Sequence, residues 1–334
     1  MRAPALSVAM SVYNGERFLA EAIESVLAQT FGDFEFLILD DGSRDGTRDI
    51  VAAYAARDPR IRPIVRENRG LIASLNQLLA EARAPLVARM DADDVCLRRR
   101  FERQVQFLGE HPDYGVLGSW TLEIDGDGNE WSDGGTPPSA LPVTHEAFLA
   151  SIDGQGPLLC HSAVMYRRDA VLAVGGYHAA FRHCEDLDLW LRLSSLTRIA
   201  NLPEYLLRYR RYDEQVSNRH ATEQQIGAAV ARMAWRERQA GRPDPTAHID
   251  RLPPIDDLDR LFGREGVARE VRATLVPTLR YSREALRDRG FDIIVRYLRE
   301  GGRHDGMWRT VARLLRFGLP TRAARLATML AFAR

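Results

Sequence analysis

Leu86-Val-Ala-Arg-Met90 runs directly into Asp91-Ala-Asp-Asp94, an apolar run of strand length that stops on three carboxylates. The same grammar recurs upstream. Residues 6–12 lead into Tyr13-Asn14-Gly15, residues 34–39 into Asp40-Asp41-Gly42-Ser43, and residues 61–65 toward Asn68-Arg69-Gly70. Between these runs, Phe18, Leu19, Ile23, Val26 and Leu27 recur at helical spacing in residues 16–29, as do Ile50, Val51 and Tyr54 in residues 45–56; a third helix is expected over 71–82. Apolar strands that do not alternate, each followed by an amphipathic helix, predict an α/β fold with a mostly parallel sheet flanked by helices on both faces.

Ligands of such sheets sit beyond the carboxyl ends of the strands. Tyr13, Asp40, Asp41, Asn68 and residues 91–94 all fall there. Each turn by itself has a local explanation, because Asp-Gly is a common turn former and an aspartate caps a following helix. Four polar turns on one sheet edge are better explained by a shared site. Asp91 and Asp93 supply hard oxygen ligands for a divalent ion with room left for a phosphorylated partner, so Mg2+ or Mn2+ is implied, stabilising charge on a departing diphosphate. Asp41 can accept a hydrogen bond from a base imide and Tyr13 can stack on a ring.

Beyond residue 100 the alternation loosens. Helices are expected at 101–108 and 168–174, and strands at 116–122 and 162–166. Asp125-Gly-Asp-Gly-Asn129 resembles the opening of a calcium loop but lacks the glutamate such a loop needs at its twelfth position, where Thr136 stands, and reads as a turn. Residues 132–142, rich in Gly, Pro and Ser, read as a mobile surface loop. A helix over 185–196 opens on Glu185, Asp186 and Asp188, which the helix dipole favours whether or not they have a chemical task. From about residue 221 the pattern becomes wholly helical, with helices expected at 223–240, 256–262, 267–289, 291–300 and 307–332.

Composition narrows the chemistry. At 334 residues, 45 % hydrophobic and 28 % charged, the chain is globular in type, not collagen-like, disordered or a disulfide scaffold. All 46 basic residues are arginine, which excludes a Walker A lysine, a Schiff-base lysine and a lysine general base. Charge is segregated: residues 1–259 carry −10 and residues 260–334 carry +10. A basic, amphipathic end suits an anionic membrane surface, and packing its apolar stripe onto the catalytic unit is an equal alternative. Cys96, Cys160 and Cys184 form no CxxC pair, so a reducing compartment is expected. The first residues do not read as a signal peptide, and no uncharged apolar run reaches 18 residues, so no transmembrane helix is expected.

Taken together, Ser11-Val-Tyr-Asn14, Ser25-Val-Leu-Ala-Gln-Thr-Phe31, Asp40-Asp-Gly-Ser43, Asn68-x-Gly70 with Asn76, Asp91-Ala-Asp-Asp94 and Glu185-Asp-x-Asp-Leu-Trp-x-Arg192 resemble the motifs of family 2 glycosyltransferases of the GT-A fold, over residues 5 to about 217. The resemblance implies a Rossmann-like catalytic domain at 1–220, with a nucleotide-sugar half (1–120) and an acceptor half (121–220), before a helical, arginine-rich region at 221–334. It implies nucleotide contacts from Val12, Tyr13, Asp41, Asn68, Asp91 and Ala92, a metal on Asp93, and Asp186 as catalytic base with Glu185 as second choice. An inverting transfer needs such a carboxylate to deprotonate the acceptor hydroxyl. Where relatives carry a histidine near the domain end, this chain has Tyr212, and Arg210 or Arg211 is the expected diphosphate partner.

The expected function is transfer of a sugar from a nucleotide-sugar, foremost a UDP-sugar, to a glycan or lipid-linked glycan in bacterial surface polysaccharide synthesis. The expected location is cytoplasmic, peripheral on the inner face of the membrane, with no nucleic-acid partner. The alternatives are a haloacid-dehalogenase-type phosphohydrolase, since Met90-Asp-Ala-Asp-Asp-Val95 also fits its D-x-D-x-[TV] pattern, and a non-catalytic nucleotide-sugar-binding subunit.

Overall fold

Strand β1 (Leu6–Val12) pairs in parallel with β2 (Phe34–Asp40) on one side and with β4 (Leu86–Asp91) on the other, and β2 pairs in parallel with β3 (Ile61–Val65). The computed structural model describes residues 3–130, 141–154, 156–212 and 220–332. The loop expected at 132–142 lies almost wholly outside them. Helices α1 (Leu19–Leu27), α2 (Thr47–Ala55) and α3 (Leu71–Glu81) connect these strands. Every residue of β2 is buried, which is why its sequence is apolar without alternation. Leu6, Val8, Met10, Ile23, Val26, Phe36 and Ile38 belong to one core cluster, and each such side chain contributes roughly 1.5–3 kcal/mol through burial.

β7 (Met165–Arg167) runs antiparallel to both β4 and β6 (Tyr114–Ile124); β8 (Arg198–Arg210) is parallel to β6, and β5 (Val95–Cys96) antiparallel to β8. The eight strands of the sheet lie in the order β3-β2-β1-β4-β7-β6-β8-β5. Helix α4 (Arg100–Glu110) follows β5, α5 (His145–Ser151) starts on the Thr144 cap, α6 (Arg168–Ala173) follows β7, and α7 is Glu185–Leu193.

Four elements depart from expectation. β8 has no counterpart in the sequence pattern, because Pro203 and several arginines interrupt its apolar residues. Its register with β6 shifts where Leu202 pairs with Ser119 and Tyr205 with Trp120, so Pro203 and Glu204 fall in an irregularity of the ladder, where a proline without N–H is tolerated. The strand expected from 162 begins as a 3-10 turn, His161–Ala163, and pairs only from Met165. In the helical region, the helix expected over 267–289 ends at Leu279 and restarts after Ser282, whose Oγ accepts the Ala285 N–H at 3.1 Å. The helix expected over 307–332 is divided likewise: Gly318 adopts φ +75°, and Pro320 opens the next helix.

The chain forms two compact units. The first comprises 1–179 and 185–215, the second 180–184 and 216–334. In the second, helices Ala221–Gln239, Val267–Leu279, Arg289–Arg299, Met307–Arg316 and Pro320–Phe332 bury Val271, Leu275, Phe291, Ile294, Leu314 and Leu326. No helix among the described residues is long and apolar enough to cross a membrane.

Candidate active site

The turns after β1 and β2 are tied to each other by five hydrogen bonds. The backbone N–H groups of Asn14, Gly15 and Glu16 donate to Ser43, Thr47 and Asp45, while those of Arg44 and Gly46 donate to Asn14 and Glu16. Gly42, at φ +83°, lets residue 68 approach, since a Cβ there would lie 2.7 Å from the Asn68 nitrogen. Asp40, fully buried, accepts the Ser43 N–H at 2.8 Å and closes its own turn. Asp41 accepts the N–H groups of Arg69 (3.0 Å) and Gly70 (2.8 Å) and Arg66 Nε (2.8 Å), so it organises the 66–70 loop from beneath. Val12 is buried with its carbonyl accepting the Asp41 N–H at 2.9 Å, and Tyr13 beside it is half exposed.

The turn after β4 is built differently. Asp94 is buried, accepts the Arg210 N–H at 2.8 Å and a short bond from the Ser162 hydroxyl, and braces the loop. Asp93 receives the Tyr212 hydroxyl at 2.9 Å. Burial, and next the charge of Asp91, push the Asp93 carboxyl up to about 6. Two carboxylates that repel each other at a half-buried turn are the hard-oxygen set that suits Mg2+ or Mn2+, so these residues fit such an ion.

Beneath Asp91 lies a residue whose role the motifs do not disclose. Arg89, 1 % exposed, donates from Nη2 to Asp91 Oδ1 at 2.6 Å, while its Nε and Nη1 have no hydrogen-bond partner. Its charge also acts on Glu185, Asp186, Asp93 and Tyr177. A buried guanidinium thus pairs with Asp91 at the end of β4, and its charge favours the ionised forms of Glu185 and Asp186 at the start of α7. The signal was present in the sequence as a lone charge inside an otherwise apolar strand.

Glu185 is buried, and its carboxyl is pushed up to about 8 by burial and by Asp186. Asp186 is half-buried. Burial raises it as well, opposed by hydrogen bonds from the Leu187 N–H and its own N–H and by the Arg89 charge. Asp188 accepts Arg192 Nε and Nη2 at 2.9 and 2.7 Å and is a structural pair one turn along the helix. Asn76 fixes the segment that precedes the helix by exchanging two 2.8 Å bonds with the Tyr177 backbone. The Tyr177 hydroxyl lies 3.0 Å from His161 Nε2, and burial holds that imidazole well below its ordinary pKa, as a neutral ring.

The structure corrects the expected diphosphate cations. Arg210 is buried and its guanidinium donates to the Asp93 carbonyl, the Asp125 carbonyl and Glu21, so it is an internal brace. Arg211 lies on the opposite face of its strand end, paired with Glu123 at 2.7 Å. Arg210 is therefore not kept as a diphosphate ligand. Tyr212, by contrast, stands on the site as the donor to Asp93. Asn68 is exposed and Ala92 half-buried, on the loops around the two acidic turns. Asp125 accepts the N–H groups of Asp127 and Asn129, which makes the calcium-like segment a self-contained turn. In the second unit, His183, His220 and Glu223 hold their ligand atoms within 4.8 Å, but the two imidazoles stack in parallel at 4.0 Å, so their lone pairs do not converge.

The profile of glycosyl transferase family 2 matches residues 7–175. The chain belongs to that family. The family 2 relatives include EpsE of Bacillus subtilis (strain 168), 38 % identical over 66 % of this chain and 77 % of its own length. The amylovoran biosynthesis glycosyltransferase AmsE of Erwinia amylovora is 32 % identical over 64 % and 79 %. Among solved structures, S. aureus TarS 1–349 in complex with UDP superposes with a TM-score of 0.54 at 18 % identity, covering 84 % of each chain. The mannosyltransferase PcManGT of Pyrobaculum calidifontis, in complex with GDP-Man and Mn2+, does so at 0.52 and 16 %, covering 99 % of this chain and 87 % of its own. These structural likenesses establish the GT-A fold. The protein is a glycosyltransferase, and the phosphohydrolase alternative falls, its motif sitting after the fourth strand of a transferase sheet.

Proposed function

We propose that this family 2 enzyme is an inverting, metal-dependent transferase that takes a sugar from a nucleoside-diphosphate sugar, foremost a UDP-sugar, and delivers it to a hydroxyl of a glycan or lipid-linked glycan in bacterial surface polysaccharide assembly. The observation that carries the reading is the grouping of Asp91, Asp93, Glu185 and Asp186 around the buried charge of Arg89. Asp41, the Val12 backbone, Tyr13, Asn68 and Ala92 border the nucleotide. Asp93, with Asp91 beside it, would hold Mn2+ or Mg2+, whose charge stabilises the departing diphosphate.

Asp186 is the base. It is more open than Glu185, and the helix N-terminus and Arg89 favour its charged form. As the acceptor hydroxyl gives its proton to Asp186, its oxygen forms the new bond to the anomeric carbon from the side opposite the nucleotide. The bond to the diphosphate oxygen breaks with its electron pair, releasing the nucleoside diphosphate with inversion. Glu185, held protonated around neutral pH, serves as a hydrogen-bond donor near the acceptor.

Calorimetric titration with UDP, with GDP and CDP as controls and with and without Mn2+, tests the donor site. Metal-dependent UDP binding that disappears in Asp93→Ala is the expected result. Absence of binding by all three nucleotides overturns the reading, and preference for GDP moves the donor class.

A further inference from the structure

Helix Met307–Arg316 divides cleanly into an inward and an outward face. Thr310, Leu314, Met307 and Val311 are buried and pack within the second unit. Trp308 is 59 % and Leu315 57 % exposed. At about 100° per residue, Leu315, Trp308 and Ala312 occupy one outward arc of about 60°, and Arg316, Arg309 and Arg313 the adjoining arc of similar width. Arg313 places its guanidinium 3.9 Å from the ring centre of Tyr281, itself 54 % exposed, so the arginine row is bordered by a second aromatic. Neither Arg309 nor Arg316 has an ion-pair partner among the described residues. Over residues 301–334 the chain carries seven arginines and one acidic residue, Asp305.

The two uses the sequence left open for this end of the chain are therefore both present on one helix, on different faces. The apolar stripe that packs is the Val311–Leu314 side. The Trp308–Leu315 side remains uncovered within its unit, and an exposed tryptophan and leucine beside unpaired arginines make a surface with a defined complement. Apolar side chains enter the acyl boundary, and the arginines meet phosphate oxygens, for which the guanidinium fork is suited. A row of arginines with no intervening carboxylate repels a second copy of itself and attracts an anionic plane.

We propose that the Trp308–Leu315 face, with Arg309, Arg313 and Arg316, docks this protein onto anionic lipid bilayers. The helix lies in the interface and does not cross it. Docking of this kind holds the enzyme at a surface where a lipid-linked acceptor resides, although the proposal does not depend on the transferase reading, and its measurement needs no sugar donor.

The full chain is mixed with vesicles of phosphatidylcholine alone or with about one third phosphatidylglycerol, and bound protein is measured by flotation at low and high salt. Binding to the anionic vesicles only, weakened by salt, is expected. Arg309→Gln with Arg316→Gln should weaken it about 25-fold, at roughly fivefold per arginine. Trp308→Ala with Leu315→Ala should weaken it about tenfold or more, and both variants should melt like the parent because all four side chains are exposed. Failure of the parent to bind anionic vesicles, or undiminished binding by both variants, overturns the proposal. So does a concentration-dependent dimer that Trp308→Ala with Leu315→Ala dissolves, which would assign the face to a second copy.

Discussion

Two aspartate turns leave β2 and β4, the strands that flank β1 in one sheet, and they treat their carboxylates in opposite ways. In the turn after β2, Asp40 and Asp41 are saturated with donors: the Ser43, Arg69 and Gly70 N–H groups, with Arg66 behind them. Those bonds define loop geometry. In the turn after β4, only Asp94 is used in that manner. Asp91 and Asp93 rely on one buried guanidinium and one phenol, and with Glu185 and Asp186 they form a crowded, partly desolvated acid group. A carboxylate given several backbone donors shapes the fold, whereas one left short of donors retains affinity for a cation or a proton.

The sharpest way to break this contrast is at the proposed base. Asp186→Asn should lower turnover about 10³-fold, as loss of a general base does, while UDP affinity measured by calorimetry stays at the parent value. Unchanged turnover would remove Asp186 from the chemistry, and a parent that binds nucleotide without turnover would favour the binding-subunit alternative. Next in size is Arg89→Leu, which leaves buried acids without their counter-charge and should destabilise the fold by about 3–5 kcal/mol in urea unfolding. A parent-like midpoint would show that Arg89 does not hold the cluster.

Asp40→Ala probes the other turn. Loss of the acceptor of the part-buried Ser43 N–H should reduce stability by about 1–3 kcal/mol, with kcat per folded molecule preserved; a loss of kcat at parent stability would erase the distinction between the turns. The last comparison is a trend and not a magnitude: Tm of Glu185→Gln against the parent, recorded in EDTA across pH. Glu185 holds its proton up to about pH 8 in the folded protein, against 4.5 for an ordinary glutamate. Between those values the unfolded chain has released the proton and the folded chain has not, so the group weakens folding progressively as pH rises. The variant's advantage in Tm should therefore grow from pH 5 to pH 8, and a constant difference would contradict the raised pKa.

Much of the sheet was legible. Residues 6–12, 34–39, 61–65 and 86–90 read as strands because buried parallel strands are apolar on both faces, and the helices between them carry their own period. β8 was not legible, since its pairing with β6 is set by register across some 80 residues of chain and absorbs Pro203 in an irregularity. The acid motifs at 91–94 and 185–186 were visible as residue types at strand and helix ends. Arg210 was misread as a phosphate partner because its chain neighbours do not reveal that it points back to Asp93, Asp125 and Glu21.

Local chemistry, then, was written along the chain: which segments are strands or helices, where carboxylates gather at their ends, and that the final third is basic and amphipathic. Those properties depend on neighbours within a few residues. Which carboxylates are braced and which are left wanting, that Arg89 serves two distant acid pairs, that Tyr212 donates to Asp93, and which face of helix Met307–Arg316 stays exposed were decided only by tertiary structure. Burial and hydrogen-bond saturation are set by what arrives from elsewhere in the chain, and a side chain's charge state follows from them.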